Sequence, residues 1–230
     1  MSSGPVSDAQ KQRAGEAAAA LVEAGMIVGL GTGSTAAQFV RALAARKLDI
    51  RGVSTSEATE QLAVSLGIKT QPLDEAGQID LTVDGADEIN SDLVLIKGGG
   101  AALLREKLVW EASKRRVCIA DSSKRVPVLG RFPLPIEIVR FGAMTTAARL
   151  GSKLKEAGVQ GHLKLREGVI TDGGNLIYDL HGATIERPAE LGTLIKQTTG
   201  VVDHGLFLGL CDLAIVAGET DIIRLNPNAA

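Results

Sequence analysis

The sequence predicts an α/β protein: a mostly parallel sheet flanked by helices, then a smaller α+β domain, then a short return to the first. Three observations predict this. Short apolar runs alternate with helical patterns through the first 120 or so residues, the signature of parallel strand-helix-strand units. Loops rich in glycine, hydroxyls or acids follow those runs at residues 31–35, 54–59, 84–87 and 97–100. In open parallel sheets that edge is where ligands bind. Pro127, Pro133 and Pro135 then interrupt the pattern and mark a boundary.

The elements follow in order. Ser7 with Gln10 three residues on fits a capping box, so a first helix is expected to run to Ala24 and stop at Gly25, with Lys11 and Arg13 near its start. Residues 26–30 form an expected buried strand that runs into GTGST at 31–35, ahead of a helical pattern over 36–46. That arrangement points backbone N–H groups and a helix N-terminus at an anion. Gly31, Gly33 and Ala36 also satisfy the relaxed dinucleotide fingerprint. The next strand, 50–53, ends in Ser54-Thr55-Ser56 without the acidic residue that would hold a ribose hydroxyl. The hydroxyls of Thr32, Ser34 and Thr35 favour a phosphate cradle over a dinucleotide site or a plain tight turn.

A helix over 57–66 closed by Gly67, a strand at 68–71 and a strand at 79–83 continue the alternation. Residues 116–120 form another buried-type strand, followed by Asp121-Ser122-Ser123-Lys124 at the same edge. Asp121 either caps a turn or joins the site, and Lys124 is either a solvated residue or a ligand-binding cation. Beyond the prolines come a strand at 136–140, a helix at 145–157, and a hairpin over 169–180 turning at 172–175. A helix over 187–197 has Pro188 in its first turn and Gly200 as its stop. Runs at 206–208, 213–216 and 222–225 are expected to return to the first domain. The predicted division is residues 1–130 plus 205–230 for the catalytic domain and 131–204 for the small one. The small one is expected to form a lid or an oligomer contact.

Composition narrows the function. With 45% apolar and 23% charged residues in 230, the chain has the balance of a soluble globular protein with a sizeable core. The 25 Lys plus Arg against 27 Asp plus Glu include no basic block, which argues against nucleic acid as a partner. The apolar stretch at 17–30 is broken by Glu23 and by glycines, too short for a membrane span. With no leader pattern either, a cytoplasmic location is expected. Cys118 and Cys211 lie in apolar runs and are expected as buried thiols; His162, His181 and His204 show no ligand spacing, so no metal is expected.

The densest chemistry lies between Val83 and Lys107. Asp84 and Asp87 follow the alternating run DLTV, where a strand passes into its loop. Lys97 ends the run at 93–96, Gly98, Gly99 and Gly100 follow, and a helix from near Ala101 carries Glu106 in its second turn. Brought together, these give two aspartates, a lysine and a glutamate around backbone bare enough to touch a ligand. Such a set moves protons on a small polar molecule. The plainer alternatives are a solvated charge run at Arg105-Glu106-Lys107, a turn at Asp84-Gly85 and a flexible connector at 98–100. Helical spacing does not decide, because Arg105 and Lys107 also have apolar neighbours three and four positions away.

These residues resemble the A type of the ribose-5-phosphate isomerases. Five blocks carry the resemblance in order: GLGTGSTA (29–36), STSEAT (54–59), VDGADEI (83–89), KGGGAALLREK (97–107) and VVDHGLFL (201–208). The resemblance implies a Rossmann-like α/β domain with an inserted α+β domain, assembled as a homodimer or homotetramer. It implies interconversion of ribose 5-phosphate and ribulose 5-phosphate in the non-oxidative pentose phosphate pathway, through an enediolate, without metal or cofactor. Glu106 is implied as general base, with Asp84, Asp87 and Lys97 around the reacting end of the sugar. Thr32, Gly33, Ser34, Thr35, Gly85, Ala86, Gly98, Gly99, Gly100 and Lys124 are implied in substrate binding, and Lys11 and Asp121 are further candidates. The rival readings are a sugar-phosphate sensor, for which no output element is visible, and a dinucleotide-dependent oxidoreductase.

Overall fold

The computed structural model describes residues 5–227. The chain opens with α1 (Pro5–Ala19), β1 (Ile27–Leu30), α2 (Ser34–Ala45), β2 (Arg51–Ser54), α3 (Glu57–Ser65) and β3 (Lys69–Thr70). It continues through α4 (Leu73–Ala76), β4 (Ile79–Gly85), β5 (Glu88–Ile89), β6 (Leu95–Ile96), α5 (Leu103–Glu111) and β7 (Ser113–Asp121). Next come β8 (Leu134–Ile138), α6 (Ala143–Glu156), β9 (His162–Leu165), β10 (Leu176–His181), α7 (Pro188–Lys196) and β11 (Val201–His204). The tail forms β12 (Leu206–Phe207), β13 (Leu213–Ala217) and β14 (Ile222–Leu225).

Among the described residues the strands form three sheets. The largest has the order β14-β13-β7-β4-β1-β2-β3, parallel throughout except for the edge pair β13–β14. Where both faces are covered its inner strands run apolar, as at residues 117–120 of β7 and along the whole of β13, while β7 begins with the polar run at 113–116. Val28, Leu30, Phe39, Val83, Val117 and Ile215 pack in one of its cores, and Ile89, Trp110, Cys118, Phe207 and Val216 in another. An antiparallel sheet, β11-β8-β10-β9, packs α6 and α7 around Ile136, Ile138, Leu150 and Ile195. A small third sheet, β12-β6-β5, lies between them in the chain's path.

Several boundaries differ from expectation, each for a physical reason. α1 starts at Pro5, so Ser7 lies inside its first turn rather than at its cap. It ends at Ala19, not Ala24, because the Arg46 side chain takes the carbonyls of Ala19 and Val22, satisfying the helix end early. The helix carrying Glu106 starts at Leu103, placing Glu106 at the end of the first turn; Ala101, at φ 59°, keeps the preceding residues in a loop. The turn at 171–175 forms, with Thr171 N–H donating to Asn175 O at 3.0 Å, but the strands beside β10 are β8 and β9 rather than residues 169–171. Thr171 and Asn175 instead donate to the buried carboxylate of Glu137 on β8. Residues 206–207 pair with β6, while only β13 and β14 rejoin the large sheet. The short α4 and β5 and the strand β11 had no counterpart in the sequence pattern.

Candidate active site

Because β1, β2, β4 and β7 run parallel, their carboxyl ends meet along one edge, as the loop positions predicted. Gly31 leaves β1 against Asp84: a Cβ there would lie 2.2 Å from Asp84 Oδ1, so only glycine admits the carboxylate. The Asp84 carboxylate accepts from Thr32 N–H at 3.0 Å and Gly85 N–H at 2.7 Å. The Thr32 hydroxyl lies 2.7 Å from that of Thr55 and donates to Ser56 at 2.8 Å, and Thr59 donates to Gly31 O at 3.0 Å. The hydroxyls of this corner therefore knit the first loop to the second. α2 begins at Ser34 without a side-chain cap, which leaves the amides of its first turn open at the edge.

Lys97 is the pivot. Its ammonium lies 3.0 Å from Asp84 Oδ2 and 3.5 Å from Glu106 Oε2, and it donates to Gly85 O at 2.6 Å. Trp110 and Phe207, packed edge to face at 5.5 Å, flank it with ring centres 5.6 and 5.3 Å away. Lys97, Asp84 and Glu106 are all buried. Burial alone would depress Lys97, but the carboxylates of Asp84 and Glu106 reverse this and hold it above the usual lysine range, as a cation. One cation serves two buried carboxylates, and Glu106 has the weaker share. Burial raises its pKa to about 8 against the pull of Lys97, and the charges of Asp84 and Asp87 add to the rise. For both Asp84 Oδ2 and Glu106 Oε2 the Lys97 ammonium is the group that meets the oxygen. Burial also raises Asp84, opposed by Lys97 and by the Gly85 and Thr32 amides.

Asp87 Oδ2 accepts from Gly99 N–H at 2.7 Å, and a Cβ on Gly99 would fall 2.5 Å from Asp87 Oδ1. Burial raises its pKa, opposed by that amide and by the charges of Lys97, Lys124 and Arg166. Between these groups opens a cleft of about 80 Å³. The first loop contributes Gly33, Ser34 and Thr35, and the end of β4 contributes Gly85, Ala86 and Asp87. The glycine loop adds Lys97, Gly98, Gly99 and Gly100, α5 adds Glu106, and a single 3₁₀ turn at Ser122–Lys124 adds Lys124. A larger hollow of about 760 Å³ between α6 and α7 is lined by groups such as Lys153, Glu156 and Glu190, with no buried acid/base pair, so size does not mark the site.

Four of the expected residues stand behind or away from the cleft. Asp84 sits behind Lys97, and Thr32 is engaged in the loop-to-loop bonds. Asp121 caps the 3₁₀ turn by accepting from the N–H and hydroxyl of Ser123. Lys11 is buried on α1, 3.6 Å from Asp8. Among the described residues no group of three or more His, Cys, Asp or Glu side chains is arranged to hold a metal ion. The sequence pattern did not single out Trp110, Phe207, Arg166 or Asp172. Trp110 was findable as the chain's one tryptophan, one turn after Glu106. Asp172 accepts from Glu57 N–H at 2.9 Å and from Arg105 at 3.1 Å, contacts across 115 and 67 residues that no local signal announces.

A profile of the family described as ribose 5-phosphate isomerase A (phosphoriboisomerase A) matches residues 51–221. The chain belongs to that family. A ribose-5-phosphate isomerase A of Caulobacter sp. (strain K31) is 61% identical over 223 residues, covering 96% of this chain and 99% of the relative. The ribose-5-phosphate isomerase A of Nitrobacter hamburgensis is 48% identical over 223 residues, covering 94% and 96%. Among solved structures, ribose 5 phosphate isomerase A from Neisseria gonorrhoeae superposes with TM-score 0.90 at 37% identity, covering 96% of this chain and 97% of that one. A D-ribose-5-phosphate isomerase in complex with phospho-erythronic acid superposes with TM-score 0.88 at 32% identity, covering 96% and 99%. As a ribose 5-phosphate isomerase A, the chain is an aldose–ketose isomerase acting on a sugar phosphate.

Proposed function

We propose that the cleft interconverts D-ribose 5-phosphate and D-ribulose 5-phosphate with Glu106 as the one base that moves the carbon-bound proton. The observation that carries this reading is the state of Glu106: buried at the cleft, with Oε2 3.5 Å from the Lys97 ammonium that sits closer to Asp84, and with its proton affinity raised by that burial. In the open-chain aldose the carboxylate takes the proton from C2, and the electron pair moves through the C1–C2 bond to the carbonyl oxygen, giving an enediolate. The same group, now an acid, returns the proton to C1 as the C2 oxygen becomes the carbonyl. The proton count balances, and a positioned base of this kind is worth ~10² to 10⁴ in rate.

The charge that develops on oxygen needs fixed donors, and Lys97 with the glycine amides supplies them without reorganisation. Asp84 is committed to Lys97 and two amides, which leaves Asp87 to shuttle the hydroxyl proton and assist ring opening. Ser34 and Thr35 at the start of α2, with Lys124 opposite, form the phosphate end. The compound bound by one similar isomerase, phospho-erythronic acid, likewise joins a phosphate to an acid group. Base, cation and donors are all protein groups, so the chemistry calls for no metal or cofactor.

We further take residues 1–130 with 205–230 as the catalytic domain and 131–204 as the small domain; residues 1–4 and 228–230 lie outside those described. A homodimer or homotetramer fits Phe141 and Met144, 95% and 82% exposed, as apolar surface for a second copy. Two free, buried cysteines suit the cytoplasm. The test of the reaction is the appearance of ribulose 5-phosphate from ribose 5-phosphate in excess chelator, by the native chain and by Glu106→Gln. Turnover that falls at least ~10²-fold in the variant supports the mechanism. Absence of turnover by the folded native chain leaves the sugar-phosphate sensor as the better reading.

A further inference from the structure

We infer that Arg166 is a positioning residue of the isomerisation: it turns the peptide carbonyls of Gly98 and Gly99 away from the cleft, so that the N–H groups of Gly99 and Gly100 face into it. The inference rests on the isomerase reading above. Arg166 follows β9 in the antiparallel sheet, outside every segment that lines the cleft. Its Nη1 donates to Gly98 O at 2.9 Å and to Gly99 O at 3.0 Å. Its Nε and Nη2 grip Asp179 of β10 at 2.9 and 2.5 Å.

Peptide planarity converts these bonds into donor orientation. In a trans peptide the C=O and the following N–H point in opposite directions. Fixing Gly98 O on Arg166 directs Gly99 N–H the other way, and that N–H is found on Asp87 at 2.7 Å. Fixing Gly99 O does the same for Gly100 N–H, and Gly100 lines the cleft. A cation on the carbonyl side also polarises each peptide and strengthens its N–H as a donor. Gly99 N–H thus holds Asp87 in place at the cleft, and Gly100 N–H gains both direction and strength for a developing oxyanion.

The loop needs such a restraint. Gly98 stands at φ 99° and Ala101 at φ 59°, the latter a left-handed conformation that is strained for alanine. The guanidinium is suited to the task because its planar fork meets Asp179 with one edge and keeps an outer nitrogen for both carbonyls. A lysine offers a single point charge and cannot hold all three partners in one plane. Asp179 therefore aims Arg166, and Arg166 aims the glycine amides.

The test uses full-length Arg166→Met and Arg166→Lys, with ribose 5-phosphate as substrate and inorganic phosphate as competitive inhibitor. Removing one oxyanion donor outright costs ~10² to 10³ in kcat, so disordering the Gly100 donor and the seat of Asp87 indirectly is expected to cost ~10- to 10²-fold. KM and the inhibition constant for phosphate should stay within about threefold, because the phosphate end is untouched. Arg166→Lys should fall between native and Arg166→Met. Guanidinium ion at low millimolar concentration should restore part of kcat in Arg166→Met where equimolar potassium chloride does not. A merely structural arginine would lower Tm without this split or this rescue. A kcat within about threefold of native in folded Arg166→Met, or a loss confined to KM, overturns the inference. If Arg166→Met does not fold, Arg166→Lys decides on the same kcat criterion. Native and Glu106→Gln turnover, run alongside, separates failure of this inference from failure of the isomerase reading.

Discussion

α5 holds two carboxylate–lysine clusters that begin one residue apart. Glu106 meets Lys97, which also holds Asp84; Lys107 meets Asp203, 2.6 Å away, with Lys196 3.0 Å from the same carboxylate. Asp203 also accepts from His204 N–H at 2.7 Å. Burial pushes Asp203 up, but Lys107 and these donors outweigh it, and its pKa lies below the usual range. His204 beside it is pushed down to about 4 by burial and by Lys107, which keeps it neutral. Glu106, buried and sharing its one cation with Asp84, goes up to about 8. The same residue types thus become a fastener or a base according to how many cations and donors the buried carboxylate holds.

That contrast can be broken, and the largest expected effect is on Glu106 itself. Glu106→Gln should cut kcat by ~10² to 10⁴ while leaving thermal stability intact or raised, since it removes a buried carboxyl whose one cation is shared with Asp84. Lys97→Met should lower kcat/KM by ~10² to 10³ and, by stranding Asp84, destabilise the fold by about 3–5 kcal/mol in urea unfolding. Asp203→Asn should do the reverse of Glu106→Gln, costing about 2 kcal/mol of stability with kcat/KM within about threefold of native. If instead its activity collapses as in Glu106→Gln, the division between fastener and base is wrong.

The smallest effect is the sharpest test. A base whose folded pKa is raised is inactive while protonated, so kcat/KM of the native enzyme should climb as pH rises through about 8. Asp84 is an anion that helps keep the proton on Glu106, so Asp84→Asn should move that limb to lower pH. Asp203→Asn should leave it where it is. A limb at the ordinary glutamate value in the native enzyme would show that Glu106 is not the titrating base.

Much of this was legible because glycine, hydroxyl and acid-rich loops each followed an apolar run, and parallel strands bring such loops to one edge. Destinations of side chains were not. Arg105, Glu106 and Lys107 look alike in sequence, yet each is taken by a different segment: Arg105 by Asp172 and Glu57, Glu106 by Lys97, Lys107 by Asp203. Helical periodicity separates buried from exposed faces, and here three neighbouring directions all find partners. Thr32 was expected at the ligand as one of a run of hydroxyls; its hydroxyl turns instead to Thr55 and Ser56, 23 and 24 residues on. Arg166 lies 68 residues from the carbonyl it holds, beyond any local pattern. Strands of two residues such as β5 and β6 are set by their pairing partners more than by propensity.

The late return of the chain has a consequence for synthesis. Lys97 N–H bonds to Gly205 O, its ammonium lies beside the ring of Phe207, and Arg116 grips Asp212 across 96 residues. A nascent chain paused on the ribosome before residue 205 already contains Asp84, Lys97 and Glu106, but the wall that dries them has not been translated. Its lysine and carboxylates are hydrated, with ordinary affinities for protons, and the β7 edge awaits β13. Enzymatic competence therefore arrives in one late step of translation, and the pause before it exposes an unpaired strand to other chains and to chaperones.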